Sequence, residues 1–419
     1  MVSSLLLMHW STTAYSLENI DYSSAFGNEI LGEGTTTTAF DVMDYGAAGN
    51  GQTDDSQAFN KAWKDVCGAS TNQEVATLQV PPGKTFLLGP VAFQGPCMAN
   101  TIHFQLQGTL IAPQSTSWAG DALDTWIQFS GIHNLIFDGD GKIDGQGSFW
   151  WQSCKKKTIF GTFWSCQHRP RALHFHNCNG LRLEGLTHLN SPRSHISINA
   201  CQDVSISNLN IIAPEDSPNT DGIDISASSN VNIQDSRIGT GDDCVAINGG
   251  SSFINITGVD CGPGHGISIG SLGDGAYDTV QDVHVKNCNL KNTQNGVRIK
   301  TFQDASGFAT NISFEHIGFD NVRNPIIIDQ FYQDKSKNSK EILKAAVIEV
   351  SHVTYSDIHG TSASDRAIDL SCDDVVGCSN IVMHNINITS AVPGQNVYGF
   401  CNNTRGTATS IQPEVSCLF

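Results

Sequence analysis

The sequence predicts an all-β protein: a right-handed parallel β-helix with an N-terminal capping helix. Three observations carry that expectation. Four short strings, NTDGIDI (219–225), TGDDCVAI (240–247), PGHGISI (263–269) and QNGVRIK (294–300), align on their last isoleucines, with steps of 22, 22 and 30 residues. Near-equal spacing of β-branched strings is the mark of stacked repeats. Alternating apolar strings also recur from Asn134, Gly180, Asp203, Asn230, Phe253, Asp282, Asn311, Val347 and Asn380. No helical periodicity separates them, so parallel strands must follow one another as coils. A β-sandwich, the competing fold, would show shorter and more regular hairpin turns.

In chain order, residues 1–16 are expected to be a signal peptide. Leu5, Leu6, Leu7 and Met8 form a short apolar core, and Ala14-Tyr15-Ser16 resembles a cleavage site, although the usual basic start is missing. Residues 17–39 are expected to be a flexible lead-in and 40–419 a single catalytic β-helix domain. Residues 40–47 suggest a strand. Residues 54–66 suggest a helix, with Asp54 and Gln57 as a capping box and Ala58, Ala62, Trp63 and Val66 on one face. A solenoid exposes core at its open end, so a helix there serves as a lid. Residues 80–93 give two short strands. Residues 145–171, with Trp150, Trp151, Lys155, Lys156, Lys157 and Trp164, form an insertion.

Composition narrows the class. Charged residues make up 15% of the 419 and the formal net charge is −18. That balance argues against nucleic acid and anionic membranes as partners. The 13 cysteines show no paired zinc pattern and fit an oxidising compartment. Cys244 with Cys261, Cys372 with Cys378 and Cys401 with Cys417 are expected as local bridges, and Cys178, Cys201 and Cys288 as buried free thiols. Glycosylation sequons at Asn255, Asn311, Asn387 and Asn402 fit secretion.

The aligned strings also carry the chemistry. Four places before each isoleucine stand Asp221, Asp243, His265 and Asn295. Stacked coils place such equivalent positions about 4.8 Å apart. Strand alternation turns the isoleucines inward and Arg298 and Lys300 outward, and carried back it turns Asp242 outward too. The expectation is a groove with acids at its centre and two cations beside them. Arg193 and His195, one coil earlier, are further candidates to line it.

At these motifs the chain resembles the plant-type polygalacturonases, pectin-degrading glycoside hydrolases. SPNTDGIDI, TGDDCVAI, CGPGHGISIGSLG and VRIKT occur together, in that family's order and spacing. The resemblance implies a β-helix that hydrolyses α-1,4 bonds between galacturonates with inversion. It implies Asp242 as proton donor, Asp221 and Asp243 as the carboxylates that activate water, and His265 as the partner of the donor. Arg298 and Lys300 are implied to grip the galacturonate carboxylate, with Asn219 and Tyr332 on the substrate side. No metal or other cofactor is called for, and the chain is expected to act as a monomer on pectin in the cell wall. Two departures stand out: Gln333 replaces a cysteine after the tyrosine, and Phe302 stands where tryptophan is common. A calcium-dependent lyase and an inactive wall-binding homologue are the alternatives. Endo or exo action depends on whether loops close one end of the groove.

Overall fold

The strand pairings of the computed structural model are all parallel, and each joins one coil to the next. It describes residues 37–70, 75–114, 124–154, 169–274, 277–303, 305–333 and 347–418. The strands form a right-handed parallel β-helix, the hand that parallel crossovers take almost without exception. One sheet has 22 strands, and a second has 11, one from each successive coil, running from Val91–Gln94 to Tyr398–Asn402.

The four motif strings supply consecutive rungs of the 11-stranded sheet. Ile223 pairs with Val245, Val245 with Ile267 and Ile267 with Val297. Ile225, Ile247, Ile269 and Ile299 form the companion row, and all eight side chains are fully buried. Most of the extra residues of the 30-residue step fall after the motif, between Ile269 and Val280, so the register of the motif strings continues across it. Stacking like on like fills the interior without gaps and fixes which residues face out, because a one-residue slip would turn every isoleucine to solvent.

A second column marks the corner where the chain enters the larger sheet. Asn134, Gly180, Asp203, Asn230, Phe253, Asp282, Asn311, His352 and Asn380 all have φ between 51° and 72°. They follow one another in register. Asparagine, aspartate and glycine tolerate this left-handed corner best. This corrects the expectation at Val347: the equivalent of Asn311 is His352, and Val347 lies ahead of the long strand Ile348–Ser362. Alternation alone could not locate the corner within so long a strand.

The N-terminal end differs from expectation in two details. The strand is Thr37–Asp41, and Val42–Tyr45 is a short 3-10 turn, begun where Asp41 accepts the Met43 N–H. The helix is Ser56–Cys67, without the Asp54–Gln57 capping box. Its N-cap is Asp55, whose carboxylate is taken up by the N–H groups of Ala48 and Gly49, while Asp54 accepts from Ser56. The helix buries Ala58, Phe59, Ala62, Trp63 and Val66. Trp63 lies against Phe93, ring centres 5.0 Å apart, at the start of a buried aromatic stack.

The three expected bridges, Cys244–Cys261, Cys372–Cys378 and Cys401–Cys417, are present, together with Cys67–Cys97. Cys178, Cys201 and Cys288 are buried free thiols. Trp150 and Trp151 are buried on the helix Ser148–Cys154. The proposed signal peptide, most of the lead-in, Lys155, Lys156, Lys157 and Trp164 lie outside the described residues. Among the described residues no helix is long and apolar enough to cross a membrane.

Phe253 is the misfit of the corner column: a bulky side chain at φ 56°, 54% exposed and so contributing little to the core. Phe253→Asn is expected to raise stability by about 0.5–1 kcal/mol, the scale of relieving left-handed strain. Chemical denaturation of the two proteins measures it, and unchanged stability would count against the strain.

Candidate active site

The register carries the site with it. Two places before each inward Ile223, Val245, Ile267 and Val297 stand Asp221, Asp243, His265 and Asn295, on four successive rungs. Asp242 precedes Asp243 in the turn. The structure therefore brings together Asp221, Asp242, Asp243, His265, Arg298 and Lys300. The turns are tight. A Cβ on Gly241 would lie 1.9 Å from the Ser217 carbonyl oxygen, and one on Gly266 (φ 89°) 2.2 Å from that of Asn295. Only glycine lets these coils approach so closely. The Cys244–Cys261 bridge ties down the residue next to Asp243.

The three acids have different surroundings. Asp243 is 1% exposed, and both its oxygens are engaged. Oδ1 accepts from Ser268 Oγ and from Arg298, each at 2.8 Å, and Oδ2 accepts from Lys300 Nζ at 2.9 Å. Burial alone would raise its pKa, but Lys300 and Arg298 outweigh it and hold the carboxyl below its ordinary value. Asp243 is thus an ionised group. Asp221 is pushed the other way, well above the ordinary value, first by burial and then by the charges of Asp224, Asp242 and Asp243. Asp242 Oδ1 accepts the Asp243 N–H and lies 2.8 Å from His265 Nδ1. Its Oδ2 has a longer contact, 3.3 Å, from the Asn219 amide nitrogen. Burial would lower the His265 pKa, but the hydrogen bond and charge of Asp242 raise it.

Tyr332 also reaches the site. It pairs with Phe302 across the rung, the rings meeting edge-on at 5.3 Å, and Lys300 Nζ lies 5.4 Å from the tyrosine ring centre. Phe302, in place of the more usual tryptophan, thus supports the tyrosine. His195 does not line the groove. It is fully buried, its Nδ1 bonded to the Asp221 carbonyl oxygen and its Nε2 accepting the Ser191 N–H. Burial pushes its pKa down to about 4, and it braces the Asp221 backbone as a neutral ring.

Sequence reasoning missed Ser268 and Arg169. Ser268 lies between Ile267 and Ile269, so the alternation that exposed Arg298 would have exposed it too. Arg169 is 1% exposed and donates to the carbonyl oxygens of Pro192 and Pro218 and, at 2.7 Å, to Asn219 Oδ1. A guanidinium only donates, so it fixes the Asn219 amide with its nitrogen toward Asp242. Nothing local marks Arg169, because its partners are up to 50 residues away.

Ligand atoms of Asp242, Asp243 and His265 lie within 4.8 Å of one another. That is a conceivable donor set for a cation, but Arg298 and Lys300 already neutralise Asp243 and His265 is bonded to Asp242. The chemistry better supported is proton transfer among acids beside a cationic anchor.

A parallel β-helix that gathers carboxylates, a histidine and two cations over adjacent coils has the groups for acid–base chemistry on a chain laid across those coils. The chain belongs to the glycosyl hydrolases family 28, whose model matches residues 67–411. It is 49% identical to a probable polygalacturonase of Arabidopsis thaliana, over 92% of this chain and 81% of the relative. It is 43% identical to a polygalacturonase of Persea americana, over 85% and 75% of the two. An endo-xylogalacturonan hydrolase from Aspergillus tubingensis is similar in structure, with TM-score 0.72 and 25% identity over 90% of this chain and 99% of that one.

Removing Lys300 strips a buried carboxylate of a partner. Lys300→Met is expected to cost about 3 kcal/mol of stability at neutral pH, and markedly less in an Asp243→Asn background. Asp243 is held below its ordinary 3.8, so its contribution is complete above that pH and is lost as pH falls through the lower folded value. Denaturation of the single and double variants from pH 7 to pH 3 measures both effects. Equal losses in the two backgrounds would contradict the pairing.

Proposed function

We propose that the protein is a polygalacturonase that hydrolyses the α-1,4 bonds of de-esterified pectin with inversion. Asp242 gives its proton to the glycosidic oxygen, and Asp221 and Asp243 act on the attacking water. The observation that carries this reading is that three neighbouring acids have different partners: Asp243 is bonded to Ser268, Arg298 and Lys300, Asp242 to His265, and Asp221 is surrounded by other carboxylates. An inverting glycosidase needs one carboxyl protonated while another accepts a proton from water. The polygalacturonase names of its relatives support the substrate.

The strongest upward push falls on Asp221, not on the proposed donor. Part of that push comes from the charges of Asp242 and Asp243, so it depends on the state of its neighbours. When Asp242 is protonated, one of the charges that raise Asp221 is gone, and Asp221 ionises more readily and can accept a proton from water. His265 supports the donor: with Oδ1 bound to its Nδ1 and to the Asp243 N–H, the less engaged Oδ2 is the oxygen positioned for the substrate. Asn219, held by Arg169, orients that oxygen. Arg298 and Lys300 have donors beyond those used on Asp243 and would share them with the substrate carboxylate, with Tyr332 flanking the sugar.

A calcium-dependent lyase is not favoured. Calcium seeks six to eight oxygen ligands, whereas this cluster offers a ring nitrogen and carboxylates already facing two side-chain cations. Secretion to the cell wall is the accompanying proposal, supported by the local disulfides and by the exposure of Asn255, Asn311, Asn387 and Asn402.

Asp242→Asn is expected to reduce kcat on polygalacturonate by about 10²–10⁴-fold, the usual contribution of general acid catalysis, with the fold retained by circular dichroism. Near-normal turnover would reject Asp242 as donor. In the wild type, His265 has a raised pKa, so activity is expected to fall as pH rises through that value. His265→Gln is expected to move the alkaline limb of the pH–rate profile to lower pH, and an unmoved limb would separate His265 from the donor.

A further inference from the structure

The columns that hold the catalytic acids continue toward the N-terminus into two arginines. Leu173 pairs with Ile196, and Ile196 with Ile223. Counting back two places on each strand sets Arg171 opposite Ser194 and Ser194 opposite Asp221. Arg171 therefore stands two rungs before Asp221 in the column that runs on through Asp243 and His265. One place earlier on each rung, Arg193 stands two rungs before Asp242. At about 4.8 Å per rung, both arginines lie about 10 Å from the acids, on the side opposite Arg298 and Lys300.

These cations differ from Arg298 and Lys300 in one respect. Arg298 and Lys300 are bonded to Asp243. Neither the Arg171 nor the Arg193 guanidinium makes a hydrogen bond or ion pair with any described residue, although both are half-buried. Burial, and then the neighbouring charge of Arg193, holds Arg171 below the ordinary arginine value. The carboxylates facing them are Asp124 beside Arg171 and Asp224 near both. Burial pushes Asp224 up to about 6 against the pull of the two arginines, so in acid surroundings it gives up the charge that would offset them. Two half-buried guanidinium groups that repel each other are electrostatically costly, and an anion relieves that cost.

We propose that Arg171 and Arg193 form a second uronate-carboxylate site, on the N-terminal side of the scissile bond. This rests on the reading of the polymer as a galacturonan. With Arg298 and Lys300 on the other side, the groove then holds free carboxylates on both sides of the bond it cuts. The net charge of −18 repels a polyanion at long range, so cations on both sides of the acids have a specific use. Arginine suits the task because its planar fork meets a carboxylate bidentately. A methyl-esterified residue at this position offers no charge, so the two arginines select against it.

The test is calorimetric binding of tetragalacturonate to the full chain carrying Asp242→Asn, which halts turnover, with and without Arg193→Gln. The added substitution is expected to raise Kd about tenfold, in line with the loss of one hydrogen-bonded charge contact, and to reduce the dependence of Kd on salt. Arg171→Lys, which keeps the charge but not the fork, is expected to raise Kd by a smaller factor. An unchanged Kd in the Arg193→Gln chain overturns the proposal even where the wild type hydrolyses polygalacturonate. A wild type that fails to hydrolyse polygalacturonate overturns the proposed function instead. Melting curves of each variant separate lost binding from lost folding.

Discussion

The register between successive coils is the constraint on which everything else depends. Rows of fully buried isoleucine and valine lock each motif strand to its neighbours. Residues far apart in the chain thereby reach positions one rung apart. A slip of one residue would turn Lys300 into the apolar interior and Ile299 into the groove. The apolar interior and the polar groove are thus set by the same pairing, and neither can change without the other.

Within that frame, electrostatics separates the three acids. Asp221, Asp242 and Asp243 are the same side chain with the same intrinsic acidity. Asp243 meets a serine, an arginine and a lysine, and stays charged. Asp221 meets burial and other acids, and is driven toward its neutral form. The pair Asp242–His265 lies between them with a proton to share. Three carboxylates at this spacing are a cost to folding, and their retention is intelligible where the reaction needs both a charged and a neutral member.

Much of this was legible in the sequence because the side-chain period of a strand is two and the coil spacing is nearly constant. Those two regularities located Asp221, Asp243, His265, Arg298 and Lys300 without any coordinates, and the local cysteine pairs followed from short separations. What escaped depends on contacts between coils or on fine corner geometry. Arg169 was hidden because its partners come from later turns. His195 was read as a candidate for the groove because its orientation is set by the Asp221 carbonyl, which no local pattern reveals. The corner at His352 was misplaced because the strand Ile348–Ser362 runs through it without a break in alternation. The capping box failed because the helix starts at Ser56 with Asp55 as its N-cap, which leaves Asp54 outside it, accepting from Ser56.

The proposed division of labour among the acids has one direct stereochemical consequence. A water activated on the face opposite the leaving group must invert the anomeric carbon, whereas a covalent intermediate would preserve it. Proton NMR of the first products released from polygalacturonate reads this before mutarotation blurs it. The account predicts β-galacturonate as the first-formed reducing end. A first-formed α-anomer, or an unsaturated product, would contradict it.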